Sequence, residues 1–112
     1  MPEVPETMTE EFKIAPKRRK DVVPEKLIEA HLVRRAKALG GIALKIPTMF
    51  ARSWPDRLVL LPGKRIGFAE LKSSIGKPTE GQLHILGFLK GLGFPAEVIN
   101  SKEGVDTFLG QI

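Results

Sequence analysis

Asp56 and, fourteen residues later, the tripeptide Glu70-Leu71-Lys72 supply two carboxylates and an ammonium that one hairpin would bring together. Ile66, Phe68, Glu70 and Lys72 alternate with Gly67, Ala69 and Leu71, so a strand through this segment turns Glu70 and Lys72 to one face. Asp56 immediately precedes the apolar run Leu58-Val59-Leu60-Leu61, which reads as a neighbouring strand, and Pro62-Gly63-Lys64 is the turn signal between the two. Adjacent carboxylates repel each other, and a hard cation such as Mg²⁺ keeps them ionised while retaining several waters. The chemistry this points to is metal-dependent phosphodiester cleavage. Lys72 would orient the attacking water or stabilise charge developing on the phosphorus centre. The plainer alternative is a solvated ion pair on an edge strand, because Glu-x-Lys arises by chance in any basic protein.

The elements that must carry these groups follow from periodicity. Ile28, Leu32, Ala36 and Leu39 recur at helical spacing, Pro24 suits the first turn, and Gly40-Gly41 stops the helix. Glu25 falls within the angular range of that apolar stripe and Glu29 on its flank, so Glu25 is a further candidate for the site, with a favourable macrodipole contact as its structural alternative. Glu29 is an accessory candidate or a residue at the solvent border. Ile42, Leu44 and Ile46 alternate with Ala43 and Lys45, which gives a first strand with Lys45 on the opposite face from its apolar neighbours. A loop from Pro47 to Trp54 then carries Arg52, Ser53 and the only tryptophan, placed to hold a phosphate or stack on a base, with simple packing as the alternative for Trp54. After the hairpin, a loop containing Lys77 leads to a second helix from Thr79, with Ile85, Phe88, Leu89 and Leu92 as its apolar face. Thr79-x-x-Gln82 fits a capping box, and Gln82 also stands where it could orient Lys72 or the water. Ala96-Glu97-Val98-Ile99 reads as a last strand and Val105 to Leu109 as a short closing helix.

Composition narrows the classes. The 112 residues make one small domain, and a net charge of +5 fits a polyanionic partner without demanding one. The absence of cysteine excludes disulfides, thiolate zinc sites and cysteine nucleophiles. No stretch is long and apolar enough to span a bilayer, and the acidic, proline-containing start lacks the form of a secretory signal, so an intracellular protein is expected. Residues 1–23 read as a flexible tail whose basic run Lys17-Arg18-Arg19-Lys20 could contact phosphates, and residues 24–112 as the folded domain.

The order Glu25, Asp56, Glu70-x-Lys72, Gln82 on α-β-β-β-α-β resembles the PD-(D/E)XK nuclease superfamily, and within it the stand-alone VRR-NUC (virus-type replication-repair nuclease) domains common in phages. The resemblance spans roughly residues 24–100. It is carried by Glu25-x-x-Ile28-Glu29, Lys37-Ala38-Leu39-Gly40-Gly41, Trp54-Pro55-Asp56-Arg57 through Pro62, Phe68-Ala69-Glu70-Leu71-Lys72 and Pro78-Thr79-x-x-Gln82. It implies an α/β fold with a central mixed sheet flanked by helices, and a Mg²⁺- or Mn²⁺-dependent DNA endonuclease. In that family's pattern Asp56, Glu70 and the Leu71 carbonyl would ligate metal, Lys72 would assist the water, and Gln82 and Glu25 would complete the site. Lys45, Arg52, Ser53 and Lys77, with the basic tail, would contact DNA. The resemblance further implies a homodimer acting on branched DNA such as a Holliday junction, in the host cytoplasm if phage-encoded. The family usually has glycine and a small apolar residue before Pro-Asp, where this chain has Ser53-Trp54, so the approach of backbone to phosphate is expected to differ. The competing readings are a noncatalytic nucleic-acid-binding module of a phage or mobile element, and a basic structural protein with accidental motifs.

Overall fold

A computed structural model describes residues 21–47 and 52–112; the basic run Lys17–Lys20 lies outside them. Helix α1 (Glu25–Ala38) opens with Pro24 at its N-cap, its φ of −63° already suited to the turn, and has Glu25 in its first turn and Arg35 and Lys37 in its last, each complementing the helix dipole. Leu39 caps the far end and Gly40, at φ +87°, turns the chain away. The helix buries Ile28, Leu32 and Ala36 as the 3.6-residue period requires, while Leu39 at the cap stays exposed.

Strands β1 (Ile42–Lys45), β2 (Arg57–Leu61) and β3 (Arg65–Leu71) form an antiparallel meander, and β4 (Ala96–Ile99) adds parallel to β3, giving the mixed order β1-β2-β3-β4. The parallel pairing requires a crossover, which helix α2 (Glu80–Gly91) supplies. Helix α3 (Lys102–Gln111) closes the fold from a Ser101 cap that accepts the Gly104 N–H. It is longer than the segment read from the apolar residues alone, because its ends are polar and the cap sets its start.

The two faces of the sheet are covered unequally. On one face α1 and α3 pack together over Ala43, Val59, Leu61, Ala69, Leu71 and Ile99, the main core. On the other, α2 covers only the β4 side, with Leu86 and Leu89 against Ala96, Phe68, Val98 and Trp54. This asymmetry decides which apolar residues are buried. In β1 the residue that enters the core is Ala43, whereas Ile42 and Leu44 are 49% and 42% exposed on the face α2 does not reach. In α2 the helix turns Leu86 inward, leaving Phe88 and Leu92 exposed, because its contact is with the β4 side of the sheet and not with a layer beneath its whole apolar stripe. Val23 belongs to the packed body: its N–H donates to Ser74 Oγ, its carbonyl accepts from Ser74 N–H, and its side chain packs against the main core.

Candidate active site

The antiparallel register sets Arg57 opposite Ala69, which brings the residue before β2 alongside the end of β3. The chain at Asp56 leaves the ladder there, and its side chain completes what the backbone would have done: Asp56 Oδ2 accepts the Leu71 N–H at 2.7 Å. Its own carbonyl accepts the Ile46 N–H at 2.8 Å. Asp56 is thus held by the ends of β1 and β3 together. A strand residue presents its N–H and C=O to the same side, so the Leu71 carbonyl faces the Asp56 side as well.

Glu70 lies on the α2 face of β3 and is 2% exposed, the one buried charged residue among the described residues. Gln82 Nε2 donates to its Oε1 at 3.4 Å and Lys72 Nζ stands 3.8 Å from the same oxygen, while Oε2 is buried with no hydrogen-bond partner. A buried carboxylate so poorly served does not stay ionised. Desolvation first, then the hydrogen bond that a protonated Glu70 would give Asp56 and the charge of Asp56, push the Glu70 carboxyl up to about 8, against the opposing pull of Lys72. Glu25 belongs to the same electrostatic group. Desolvation, and next the charge of Asp56, raise its carboxyl above the ordinary value.

Gln82 is placed by its helix. The Thr79 hydroxyl accepts the Gln82 N–H at 3.1 Å and Gln82 Oε1 accepts the Thr79 N–H at 2.9 Å, so the capping box read from the sequence is present in both halves. The same amide then has only its Nε2 left for Glu70, which makes the structural and the functional reading of this glutamine compatible.

The other candidates sit at varying distances from this cluster. Glu29 accepts from Arg57 Nε at 3.0 Å and so is engaged away from Glu70. Lys45 is exposed and shares the α1 face with its register partner Arg57, opposite to Glu70. Arg52 and Lys77 are exposed. Ser53 has φ +70°, a conformation that glycine adopts freely and serine rarely, at the position where the resembled family usually has glycine. A Cβ on Gly81 would stand 2.8 Å from Ser53 Oγ, so this loop rests directly on the first turn of α2. Trp54 packs edge-on to Phe68 with ring centroids 6.4 Å apart, a packing role for the lone tryptophan. Sequence reasoning missed Arg57 as a partner of the site's elements, since its contact with Glu29 spans 28 residues and no local pattern signals it.

These residues fit a divalent cation. The donor set is two adjacent carboxylates and a backbone carbonyl, all hard oxygens, and the buried Glu70 oxygen lacks the partner that burial requires. Among the described residues no group of three or more acidic or histidine side chains gathers as a cation site by itself, so water and substrate oxygens would have to complete the shell. That is the open arrangement in which Mg²⁺ is usually held. A cleft of about 650 Å³ beside the N-terminus of α1 is lined by Val22, Pro24, Leu27, Ser74, Asn100 and Lys102 among others, and by none of these carboxylates.

A four-stranded mixed sheet with this helix order and an acidic cluster at the strand ends defines a PD-(D/E)XK-like α/β fold. A solved structure described as a VRR_NUC domain superposes with a TM-score of 0.70 at 29% identity, covering 79% of this chain and 96% of that one. "Putative nuclease p44" of Acyrthosiphon pisum secondary endosymbiont phage 1 is 40% identical over 82 residues, 73% of this chain and 88% of that protein. A scan against models of known protein families finds no match. The chain belongs to the VRR-NUC family.

Proposed function

We propose that this protein is a nuclease, and more narrowly a Mg²⁺- or Mn²⁺-dependent DNA endonuclease with a preference for branched DNA, acting as a homodimer. The observation that carries the reading is the buried, unpartnered Glu70 oxygen beside Asp56 and Lys72. The similarity to a phage nuclease at 40% identity supports the reaction class.

Each residue has a part that its contacts prepare. Asp56, tied by the Leu71 N–H, and Glu70, steadied by Gln82, present their remaining oxygens with the Leu71 carbonyl as ligands. A divalent cation bound there would polarise a phosphoryl oxygen and make a water acidic enough to attack it. Lys72 keeps three rotatable donors only loosely committed at 3.8 Å, free to orient that water or meet the charge growing on the phosphate. Glu25, whose carboxyl feels the charge of Asp56 and Lys72, would take part in ordering the water. Lys45, Arg52, Ser53 and Lys77, with the Lys17–Lys20 run, supply phosphate contacts that add affinity without reading sequence. A homodimer would offer two sites for the two strands of a junction, and the half-exposed Ile42 and Leu44 show that apolar surface is available. No helix among the described residues is long and apolar enough to cross a membrane.

The test is cleavage of labelled four-way junction, flap and linear duplex DNA with Mg²⁺, with Mn²⁺ and with chelator, comparing the wild type with Lys72→Ala. Metal-dependent cutting that falls by roughly 100-fold or more in the variant, with DNA binding in chelator retained, is the expected result. Tight binding without cutting of any substrate would move the assignment to a noncatalytic binding module.

A further inference from the structure

Glu29 follows Glu25 by one helical turn, on the same side of α1, and its charge is one of those that push the Glu25 carboxyl up. Left unpaired, it would be another anion one turn from Glu25. It is not unpaired. Arg57, the residue after Asp56, turns toward α1 and donates from Nε to Glu29 Oε2 at 3.0 Å and from Nη1 to the Ala43 carbonyl at 3.0 Å. The side chains of Arg57 and Glu29 are 16% and 24% exposed, so solvent screens the pair less than it would a surface ion pair. One guanidinium thus joins α1, which carries Glu25, to β1 and to the start of β2, which carries Asp56. A lysine has one nitrogen and cannot make both contacts in those two directions.

We infer that Arg57 is a positioning residue of the site, which holds Glu29 out of the carboxylate cluster and so limits the negative charge that a bound divalent cation meets. The inference rests on the nuclease reading. Two consequences separate it from a plain structural tie. With Arg57 removed, Glu29 becomes free to offer its oxygens, so the cation is bound more tightly but, carrying more negative ligands, polarises the bound phosphate and water less. Removing Glu29 as well takes away the intruding charge and restores turnover. A tie that merely holds α1 in place would instead weaken cation binding, and its loss would not be repaired by a second change on the partner.

The experiment uses the full chain and five proteins: wild type, Arg57→Met, Arg57→Lys, Glu29→Gln and the double variant Arg57→Met/Glu29→Gln. Mn²⁺ affinity is read by calorimetry without DNA, and kcat and KM by cleavage of the preferred DNA. Arg57→Met is expected to cut about 10-fold more slowly, a typical penalty for a residue behind the ligands, with KM little changed and Mn²⁺ bound several-fold more tightly. The double variant returns toward wild type in both readouts, and Arg57→Lys, which keeps the charge, stays near wild type. Weaker Mn²⁺ binding in Arg57→Met, or a double variant no better than the single one, overturns the inference. Should Arg57→Met fail to fold, Arg57→Lys decides: wild-type turnover and Mn²⁺ affinity support the charge role, and loss of both overturns it. Wild-type protein that neither binds Mn²⁺ nor cuts overturns the nuclease reading itself, and this inference with it.

Discussion

The side chain of Asp56 stands in for a strand: its Oδ2 takes the Leu71 N–H at 2.7 Å where β2 has already ended. One carboxylate oxygen is therefore structural and the other is free of that bond, which divides the consequences of changing this residue.

Asp56→Asn keeps an acceptor for the Leu71 N–H and loses the charge. It is expected to lose about 100-fold or more in cleavage rate while the unfolding midpoint changes little. Asp56→Ala leaves the N–H without its acceptor and is expected to lose a further 1–3 kcal/mol, roughly, of stability. Urea unfolding of the two variants side by side checks the division, and equal stability would show that the bond contributes little.

The raised Glu70 carboxyl makes the metal-free protein less stable in alkali. Between the ordinary value of 4.5 and about 8 the folded chain keeps a proton that the unfolded chain has released. Stability from this group is therefore full below the lower value and is lost as pH rises through the upper one. In chelator, the urea midpoint should fall between about pH 5 and about pH 9, and Glu70→Gln should flatten that change. A Mg²⁺ or Mn²⁺ supplement should recover most at the alkaline end, where the carboxylate is ionised.

Thr79 and Gln82 can be separated because only one of them reaches Glu70. Thr79→Ala removes half of the capping box and should cost about 1 kcal/mol, with cleavage kept within a few-fold. Gln82→Ala removes the other half of the box together with the 3.4 Å contact to Glu70, so it should cost similar stability and additional turnover. Identical kinetics in the two variants would reduce Gln82 to a helix cap.

Gly41 is fixed by contact with β2. A Cβ there would overlap the Leu60 carbonyl oxygen and lie 2.7 Å from Leu61 Cδ2, and backbone cannot yield as a flexible side chain can. Gly41→Ala is expected to destabilise by about 3 kcal/mol or more, an effect large enough to appear as lost soluble expression. Thermal unfolding of a purified variant, matched against Gly63→Ala at a position with open space but positive φ, measures the clash apart from the strain.

The hairpin, the second helix and the placing of Asp56 beside Glu70 were legible because they depend on local order: alternation sets the Glu70 face, and a turn signal sets which residues lie opposite. Burial was less legible. Alternation in β1 yields two faces but does not say which one a helix will cover, and the larger side chains, Ile42 and Leu44, turned out to lie on the uncovered side. The same applies to α2, whose stripe of Ile85, Phe88, Leu89 and Leu92 is real but is turned partly away from the sheet. Pairing between distant elements was least legible. Arg57 and Glu29 are 28 residues apart, His31 Nε2 and Asp106 Oδ1, 75 apart, meet at 3.0 Å between α1 and α3, and neither pairing follows from any local pattern.

The convergence of Glu25, Asp56, Glu70 and Gln82 from α1, the β2 approach, β3 and α2 also sets when, during synthesis, the proposed site becomes complete. A segment emerging during synthesis with only the hairpin formed has two of the carboxylates and neither helix to complete their surroundings. On the proposed nuclease reading a complete site requires the crossover helix, so a chain that ends before Thr79 has no Gln82 beside Glu70.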